Sequence, residues 1–212
     1  NGGRGRSVGA FYDSMQGLLH MRSDVYLERF PEHTEDLLAK VWTSELIYHE
    51  HTGNIELKGG VLLERGQQKM QSAEAMIFLD QGLVRRIEAH QAHGFDRQPS
   101  RTINFRADWF EALYTDGLLE RASGANPAEI ESITESSVTQ VNGDRIDLHY
   151  TAEPGKKESR LREMYSRNKA RIELRPASRT GPTDLHLLAT LAMAPVKVKT
   201  EIGEMMPLPW DQ

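Results

Sequence analysis

Alternation of apolar and polar residues is the dominant pattern along the chain. In "NIELKGGVLLER", Ile55, Leu57, Val61 and Leu63 share one parity, while charged residues take most of the other positions. Successive side chains of a β-strand point to opposite faces, so this pattern predicts a strand with one apolar and one solvated face. "RGQQ" predicts a turn, and "KMQSAEAMIFLD" resumes as a second strand. The two strands together predict a β-hairpin.

The two faces of this second strand are both rich in apolar residues. Met76 and Phe78 share one face, and Ile77 and Leu79 share the other. We assign Met76 and Phe78 to the inner face.

Glycines break the first strand and close the repeated units. The pair "GG" at 59–60 predicts a bulge or sharp bend at which the sheet curls. A short alternating segment with an aromatic residue and a closing glycine recurs as "AFYDSMQG", "ELIYHEHTG", "AMIFLDQG", "DWFEALYTDG" and "IDLHYTAEPG". Such a loosely spaced repeat predicts stacked antiparallel hairpins, and hence an all-β protein.

Three segments compete with this interpretation. "HTEDLLAKVW" has a helix N-cap signal at Thr34, and "NPAEIESI" has one at Asn126 and Pro127. Each runs directly into an alternating segment, so strand is predicted for most of both. "LHLLATLAMAP", residues 185–195, is apolar throughout and is predicted as a buried strand.

Length and composition limit the organisation of the chain. With 212 residues, 38% of them hydrophobic, the chain can bury a continuous core as one large β domain or two small ones. We expect a disordered start or tag scar at 1–9, a single domain at 10–204, and a tail or linker at 205–212.

Charge and cysteine content exclude several functions. The formal net charge is −5 and basic residues are scattered among acidic ones, so no basic face predicts a nucleic-acid partner. The absence of cysteine excludes disulfides, thiolate metal sites and a cysteine nucleophile. Nucleotide-binding loops and nucleophile elbows are also missing, so the sequence predicts neither catalysis nor a cofactor.

The repeated unit resembles a known family. The segment "TSELIYHEHTGNIELKGGVLLERGQQKMQSAEAMIFLDQG", with weaker echoes in "RTINFRADWFEALYTDGLLERASG" and "VNGDRIDLHYTAEPG", resembles the OstA class of lipopolysaccharide-transport proteins. This class comprises LptA, the periplasmic part of LptC and the amino-terminal domain of LptD. The chain departs from the common pattern in longer loops, such as "AHGFDRQPSR", and in its carboxyl end, "APVKVKTEIGEMMPLPWDQ".

The resemblance implies a fold, a ligand and partners. The fold is a folded-over antiparallel β-jellyroll, or β-taco, whose halves enclose an apolar groove for lipopolysaccharide acyl chains. The function is a non-enzymatic carrier or bridge in the periplasm, free or anchored to the inner membrane by a segment outside this sequence. Its partners are lipopolysaccharide or a similar glycolipid, and other transport proteins paired through edge strands. A head-to-tail homo-oligomer follows from the same edges.

Strand parity predicts which side chains line the groove. The candidate lipid-binding residues are Ile55, Leu57, Val61, Leu63, Met76, Phe78, Ile103, Phe105, Trp109, Ile146, Leu148, Ile172 and Leu174. The alternative is that they fill a closed core that meets no ligand. Basic residues near strand ends, namely Arg85, Arg86, Arg101 and Arg106, are candidates for contact with head-group phosphates.

Two other functions stay open at this point. "HEHTGNIE" places His49 and His51 two residues apart with Glu56 nearby, which resembles part of the first cupin motif and suggests a metal-binding β-barrel enzyme. His90 and His93 are the nearest further imidazoles. The other alternative is a structural β-repeat scaffold that bridges partners without lipid.

Overall fold

Every regular element in the described part of the chain is a β-strand. The computed structural model describes residues 2–30, 39–152, 159–177 and 197–199. The strands are β1 (Gly2–Arg6), β2 (Gly9–Asp13), β3 (Leu18–Phe30), β4 (Ala39–His49), β5 (Asn54–Arg65), β6 (Gln68–Asp80), β7 (Leu83–Gln98), β8 (Arg101–Thr115), β9 (Leu118–Ile133), β10 (Ser137–Ala152), β11 (Ser159–Arg167), β12 (Arg171–Pro176) and β13 (Lys197–Lys199).

The strands form one sheet of consecutive antiparallel hairpins. From β3 to β11 each strand pairs with the next one along the chain, and the sheet runs from β1 to β13 without pairing its ends among the described residues. Glycines at the predicted turn positions Gly17, Gly53, Gly82 and Gly117 have positive φ, which tight turns require. The predicted all-β sheet of repeated hairpins is therefore confirmed.

The long strands bend along one line across the sheet. Registers shift between Arg22 and Val25, between Lys58 and Val61, and between Gly143 and Arg145. Residues with positive φ lie on this line at Ser23, Asp24, Gly59, Gly60, Gln91, Asn126, Asn168 and Lys169. Extra residues in one strand of an antiparallel pair bend it and increase its twist. The bend predicted at the glycine pair is confirmed, and it belongs to a fold line shared by several strands.

The fold line divides the sheet into two layers. The first layer contains 9–13, 18–22, 45–49, 54–58, 74–80, 83–90, 109–115, 118–125, 145–152 and 159–167. The second layer contains 2–6, 25–30, 39–43, 61–65, 68–72, 92–98, 101–107, 128–133, 137–142 and 171–176. Near both ends of the sheet, separate short strands pair with the two layers, since β1 and β2 divide β3 between them and β11 and β12 divide β10.

Contacts between opposite strand ends show that the layers face each other. Arg65, at the far end of the second layer, donates from Nη2 to the carbonyl oxygen of Gly117, at the far end of the first, at 3.2 Å. Buried residues of both layers also belong to one core cluster, among them Leu57 and Ala89 of the first layer and Val61 and Ala92 of the second. The sheet is folded over on itself, as predicted.

Three sequence predictions have different outcomes here. The start expected to be disordered at 1–9 contains β1 and the first residue of β2, because Gly2–Arg6 pairs with the second-layer half of β3. The strand predicted for most of "NPAEIESI" is confirmed as part of β9. Most of "HTEDLLAKVW" and all of 185–195 lie outside the described residues.

Candidate functional site: the inner slot

The space between the two layers is lined by the two hydrophobic core clusters, and we call it the inner slot. In β3, β4 and β5 the inward side chains are most buried at the fold line. Leu57 is 1% exposed and Val61 4%, while Ile55 and Leu63, one inward-facing position further out, are half-buried and pack against the same cluster. The slot is packed at its fold and more open towards the far strand ends, which we call its mouth.

The slot closes progressively from one end of the sheet to the other. In β3, β4 and β5, the inward residues one position beyond the fold are half-buried. Examples are Leu19, Val41 and Tyr48. In β9 and β10 the residues at the corresponding positions, Ile130 and Leu148, are buried. Accessible apolar surface therefore lies mainly between β3 and β7.

Most of the predicted lining residues point into the slot. They are Ile55, Leu57, Val61, Leu63, Ile103, Phe105, Ile146 and Leu148. Phe105 also stacks on Phe110 with ring centroids 5.0 Å apart and planes 20° apart. The pair packs against both core clusters, so it connects the two halves of the apolar interior.

Met76 and Phe78 lie on the outer face, opposite to the prediction. In the register of β5 with β6, Met76 faces Glu56 and Phe78 faces Asn54, whereas Ile77 faces Ile55 and is only 7% exposed. The guanidinium of Arg86 lies 3.9 Å from the Phe78 ring centroid, a cation–π contact on the solvated side. Both faces of this strand are apolar, and cross-strand register, rather than parity within the strand, decides which is buried.

Trp109, Ile172 and Leu174 also differ from the prediction. Trp109 lies at the fold line and packs against neither core cluster, whereas the adjacent Phe110 packs against both. Ile172 and Leu174 pair with inward residues of β10 but lie on the short edge strand β12, where they are 42% and 44% exposed. An edge strand has a neighbour on one side only, which leaves its side chains less covered.

Sequence reasoning missed a row of small residues in the slot. Ala89, Ala92, Ala107, Ala122 and Ala128 are buried at or near the fold line. Alanine is a weak strand former, so alternation of large apolar residues does not find it. Its small side chain lets the layers approach closely where the sheet bends.

Polar side chains from both layers gather at the mouth of the slot. Tyr114 and Tyr150 belong to the first layer and Asp96 to the second. Removal from water, together with the Asp96 carboxylate, raises the phenol pKa of both tyrosines. A tyrosine is neutral at physiological pH even with its ordinary pKa of about 10, so both phenols are available there as hydrogen-bond donors.

The outer face near the predicted histidine pair forms an ion-paired patch. Glu56 Oε2 lies 2.7 Å from Lys58 Nζ, and its Oε1 lies 3.0 Å from His49 Nε2. Hydrogen bonding from Lys58, and more weakly from His49, lowers the pKa of Glu56 against the opposing effect of partial burial. Within the described ranges, no group of three or more His, Asp or Glu side chains is arranged to hold a metal ion.

The four arginines predicted as phosphate contacts have different surroundings. Arg85 pairs with Asp80 at 3.3 Å, and Arg86 pairs with Glu88 at 3.3 Å. Arg106 is exposed on the outer face. Arg101 is half-buried at the mouth of the slot. Its pKa is lowered, mainly by its partial removal from water and to a smaller extent by the positive charge of the nearby Arg160.

A shallow outer cavity of about 470 Å³ lies on the second layer. Its lining combines charged, neutral polar and apolar residues, namely Lys69, Gln71, His93, Gly94, Phe95, Asn104, Phe105, Arg106, Glu129 and Glu131. Asn104 donates to Glu131 at 2.8 Å, and Gln140 donates to Glu129 at 2.5 Å. These contacts hold both carboxylates within the protein's own polar network.

These features define an open, two-layered antiparallel β protein with an apolar interior slot. No family model matches the chain, and no curated protein matches it at a significant level. Among solved structures it is similar to LptH, described as the LptA-homologous periplasmic component of the lipopolysaccharide transport device of Pseudomonas aeruginosa. The identity is 12%, the match covers 82% of this chain and 94% of that chain, and the TM-score is 0.39. Similarity at this level assigns no ligand or partner to this chain.

The described residues also contain no helix of the length and apolar character that a membrane span needs.

Proposed function

We propose that this protein is a non-enzymatic carrier that holds the acyl chains of lipopolysaccharide or a similar glycolipid in the inner slot. The observation that carries the proposal is the burial gradient: apolar side chains are packed at the fold and half-buried towards the mouth, in a sheet whose ends stay unpaired in the described chain. This arrangement presents a continuous apolar surface to a ligand that slides in from the mouth or from an end.

The energetics of such a slot suit an acyl chain. Burying one methylene contributes about 0.8 kcal/mol, so a chain of roughly a dozen methylenes contributes on the order of 10 kcal/mol before ordering costs. The half-buried residues between β3 and β7 supply the contact surface. Movement along the slot then needs no chemistry by the protein itself.

We further propose that the protein works in the periplasm and associates through its edges with other transport proteins or with further copies of itself. The first-layer edge is β2, on which Phe11 and Tyr12 are exposed. An edge strand offers unpaired backbone groups to another strand, and exposed aromatic side chains add apolar contact.

Native mass spectrometry after incubation with lipopolysaccharide tests the carrier function. Leu63→Ser changes a half-buried inward side chain, and Leu62→Ser changes its half-buried outward neighbour on the same strand. We expect the wild type and Leu62→Ser to retain lipid. Leu63→Ser should bind about tenfold more weakly, because a leucine side chain contributes roughly 1.5–3 kcal/mol when buried. A folded wild type that retains no lipid, or equal losses in both variants, would contradict the proposal.

A further inference from the structure

Six polar side chains meet at the mouth of the slot, three from each layer, and we call them the mouth cluster. They are Arg65, Asp96 and Arg101 from the second layer, and Tyr114, Tyr150 and Arg160 from the first. The hydrogen bond from Arg65 to Gly117 holds the two strand ends together beside Tyr114. The cluster therefore lies at the rim of the apolar space.

The mouth cluster contains three guanidinium groups and one carboxylate. The carboxylate, that of Asp96, accepts a hydrogen bond from Gln98 Nε2 at 3.1 Å. Arginine stays protonated in proteins, so these charges persist at any physiological pH.

Arg101 is the unusual member. It is half-buried and forms no hydrogen bond or ion pair with any residue in the described part of the chain, and its near neighbours include a second guanidinium, that of Arg160. Partly burying a cation that has no hydrogen-bond or ion-pair partner is costly unless a bound anion compensates it. The exposed Arg106 on the same strand has no such surroundings.

The two phenols complete a set of donors. Tyr150 and Tyr114 lie near these arginines, and both phenols are protonated at neutral pH because even the ordinary tyrosine pKa is about 10. Guanidinium and phenol groups together donate to several oxygens of one tetrahedral anion, which is the pattern that recognises phosphate.

We propose that the mouth cluster binds a phosphate group, with Arg101 as its principal contact, and that this phosphate belongs to the head group of the lipid whose chains occupy the slot. The head-group assignment rests on the proposed carrier function. It makes the protein selective for phosphorylated over neutral lipids and fixes the head group at the mouth while the chains lie inside.

Binding of bis-phosphorylated lipid A, and of the same lipid A with both phosphates removed, tests this inference. Dissociation constants are measured for the wild type, Arg101→Gln, Arg101→Lys and the matched control Arg106→Gln, and thermal unfolding checks that each variant folds. We expect Arg101→Gln to bind the phosphorylated lipid about tenfold more weakly, as for loss of one charge-assisted contact. It should bind the dephosphorylated lipid as the wild type does, Arg101→Lys should recover part of the loss, and Arg106→Gln should bind both lipids normally.

The outcomes separate this inference from the carrier function. If the wild type binds both lipids and Arg101→Gln binds both equally well, the phosphate site is overturned while the carrier function stands. If the wild type binds neither lipid, the carrier function fails, and the head-group assignment fails with it. Titration with inorganic phosphate, followed by ³¹P NMR, then tests the cluster alone: binding that requires Arg101 supports a site for free phosphate, and no binding overturns the site altogether.

Discussion

At the scale of single residues, polar side chains are held on the outer face by networks that the alternating pattern does not reveal. Asp147 lies between the inward residues Ile146 and Leu148, yet its side chain is only 5% exposed. Its carboxylate accepts a hydrogen bond from Ser123 at 2.7 Å. It also forms ion pairs with Arg145 at 3.0 Å and with Arg167 at 3.6 Å. Burial of a carboxylate is tolerated here because its oxygens are satisfied by charged and neutral donors.

We predict that Asp147→Asn destabilises the protein by about 1–3 kcal/mol at neutral pH, the usual cost of leaving buried donors poorly paired. Burial opposes ionisation of Asp147, but hydrogen bonds from Arg145 and Ser123 outweigh it and lower its pKa. Because the pKa of Asp147 is lower in the folded than in the unfolded protein, its ionised carboxylate stabilises the fold above the unfolded-state pKa of about 3.9. This stabilisation is lost as the pH falls through the folded-state pKa. The difference from wild type should therefore be constant near neutrality and shrink below about pH 4.

Urea unfolding across this pH range measures the effect. Asp144→Asn is the control, because Asp144 is exposed and its partner Lys169, at 3.7 Å, is more exposed still. Equal destabilisation by the two variants, or a difference for Asp147→Asn that grows on acidification, would contradict the assigned role.

We also predict that Gly94→Ala destabilises the fold by about 1–3 kcal/mol, because it overpacks a close contact between strands. A Cβ at this position would overlap the carbonyl oxygen of Lys69 and lie 2.9 Å from the Cα of Met70, both in the backbone of β6. Gly9→Ala on the edge strand β2 is the control, since its Cβ would meet nothing nearer than Arg22 Cβ at 4.0 Å. Thermal unfolding compares them, and an unchanged melting temperature for Gly94→Ala would refute the close contact.

At the scale of the elements, the fold line is the feature that turns a row of hairpins into two layers. Not all of its residues are glycine, since Asn126 and Asn168 also have a positive φ, as Gly59 and Gly60 do. Asparagine tolerates this conformation better than other residues with a side chain. The fold line therefore has a sequence signature that is spread over several strands and is weak in each.

We predict that Gly60→Ala lowers stability by about 1 kcal/mol, that Gly60→Asn costs less, and that Gly60→Val costs more. A Cβ on Gly60 would meet nothing within 4 Å, so the cost comes from its φ of 87° alone and not from crowding. Chemical unfolding ranks the three variants. If Gly60→Asn proves as costly as Gly60→Val, backbone conformation is not what glycine provides at this position.

Most elements could be predicted from the sequence because alternation and glycine turns are local signals. The hairpin of β5 and β6 is an example, with the turn where "RGQQ" places it. The inner face of β6 could not be read from β6 alone, because Met76 and Ile77 are equally apolar. Pairing register decides it: Arg65 pairs with Gln68, and the one-residue shift between Lys58 and Val61 then places Ile77, rather than Phe78, opposite Ile55.

The mouth cluster was beyond sequence prediction for a different reason. Arg65, Tyr114 and Arg160 come together only because the sheet folds over, and nothing local marks where distant strand ends meet. Arg101 was among the predicted phosphate contacts, but the sequence gives no basis for separating it from Arg106, whose surroundings are those of an exposed strand.

At the scale of the whole molecule, an open sheet has two consequences: an apolar interior that a ligand can reach, and edges that a partner can extend. We predict that Phe11→Lys, on the exposed edge strand β2, weakens concentration-dependent self-association, because charge on an edge opposes strand addition. Phe78→Lys is the control, since it adds the same charge on the outer face within the sheet. Sedimentation velocity compares them, and association that is unaffected by Phe11→Lys would show that this edge is not the contact.

The central claim is that lipid chains occupy the inner slot, and site-specific photo-crosslinking to lipopolysaccharide tests it most directly. Adjacent residues provide matched pairs: Leu63 and Ile77 point inward, whereas Leu62 and Met76 point outward on the same strands. We predict lipid adducts with a photoreactive residue at 63 and 77 and none at 62 and 76. Adducts of equal yield at both members of each pair, or none at any position in folded protein, would contradict a lipid-filled slot.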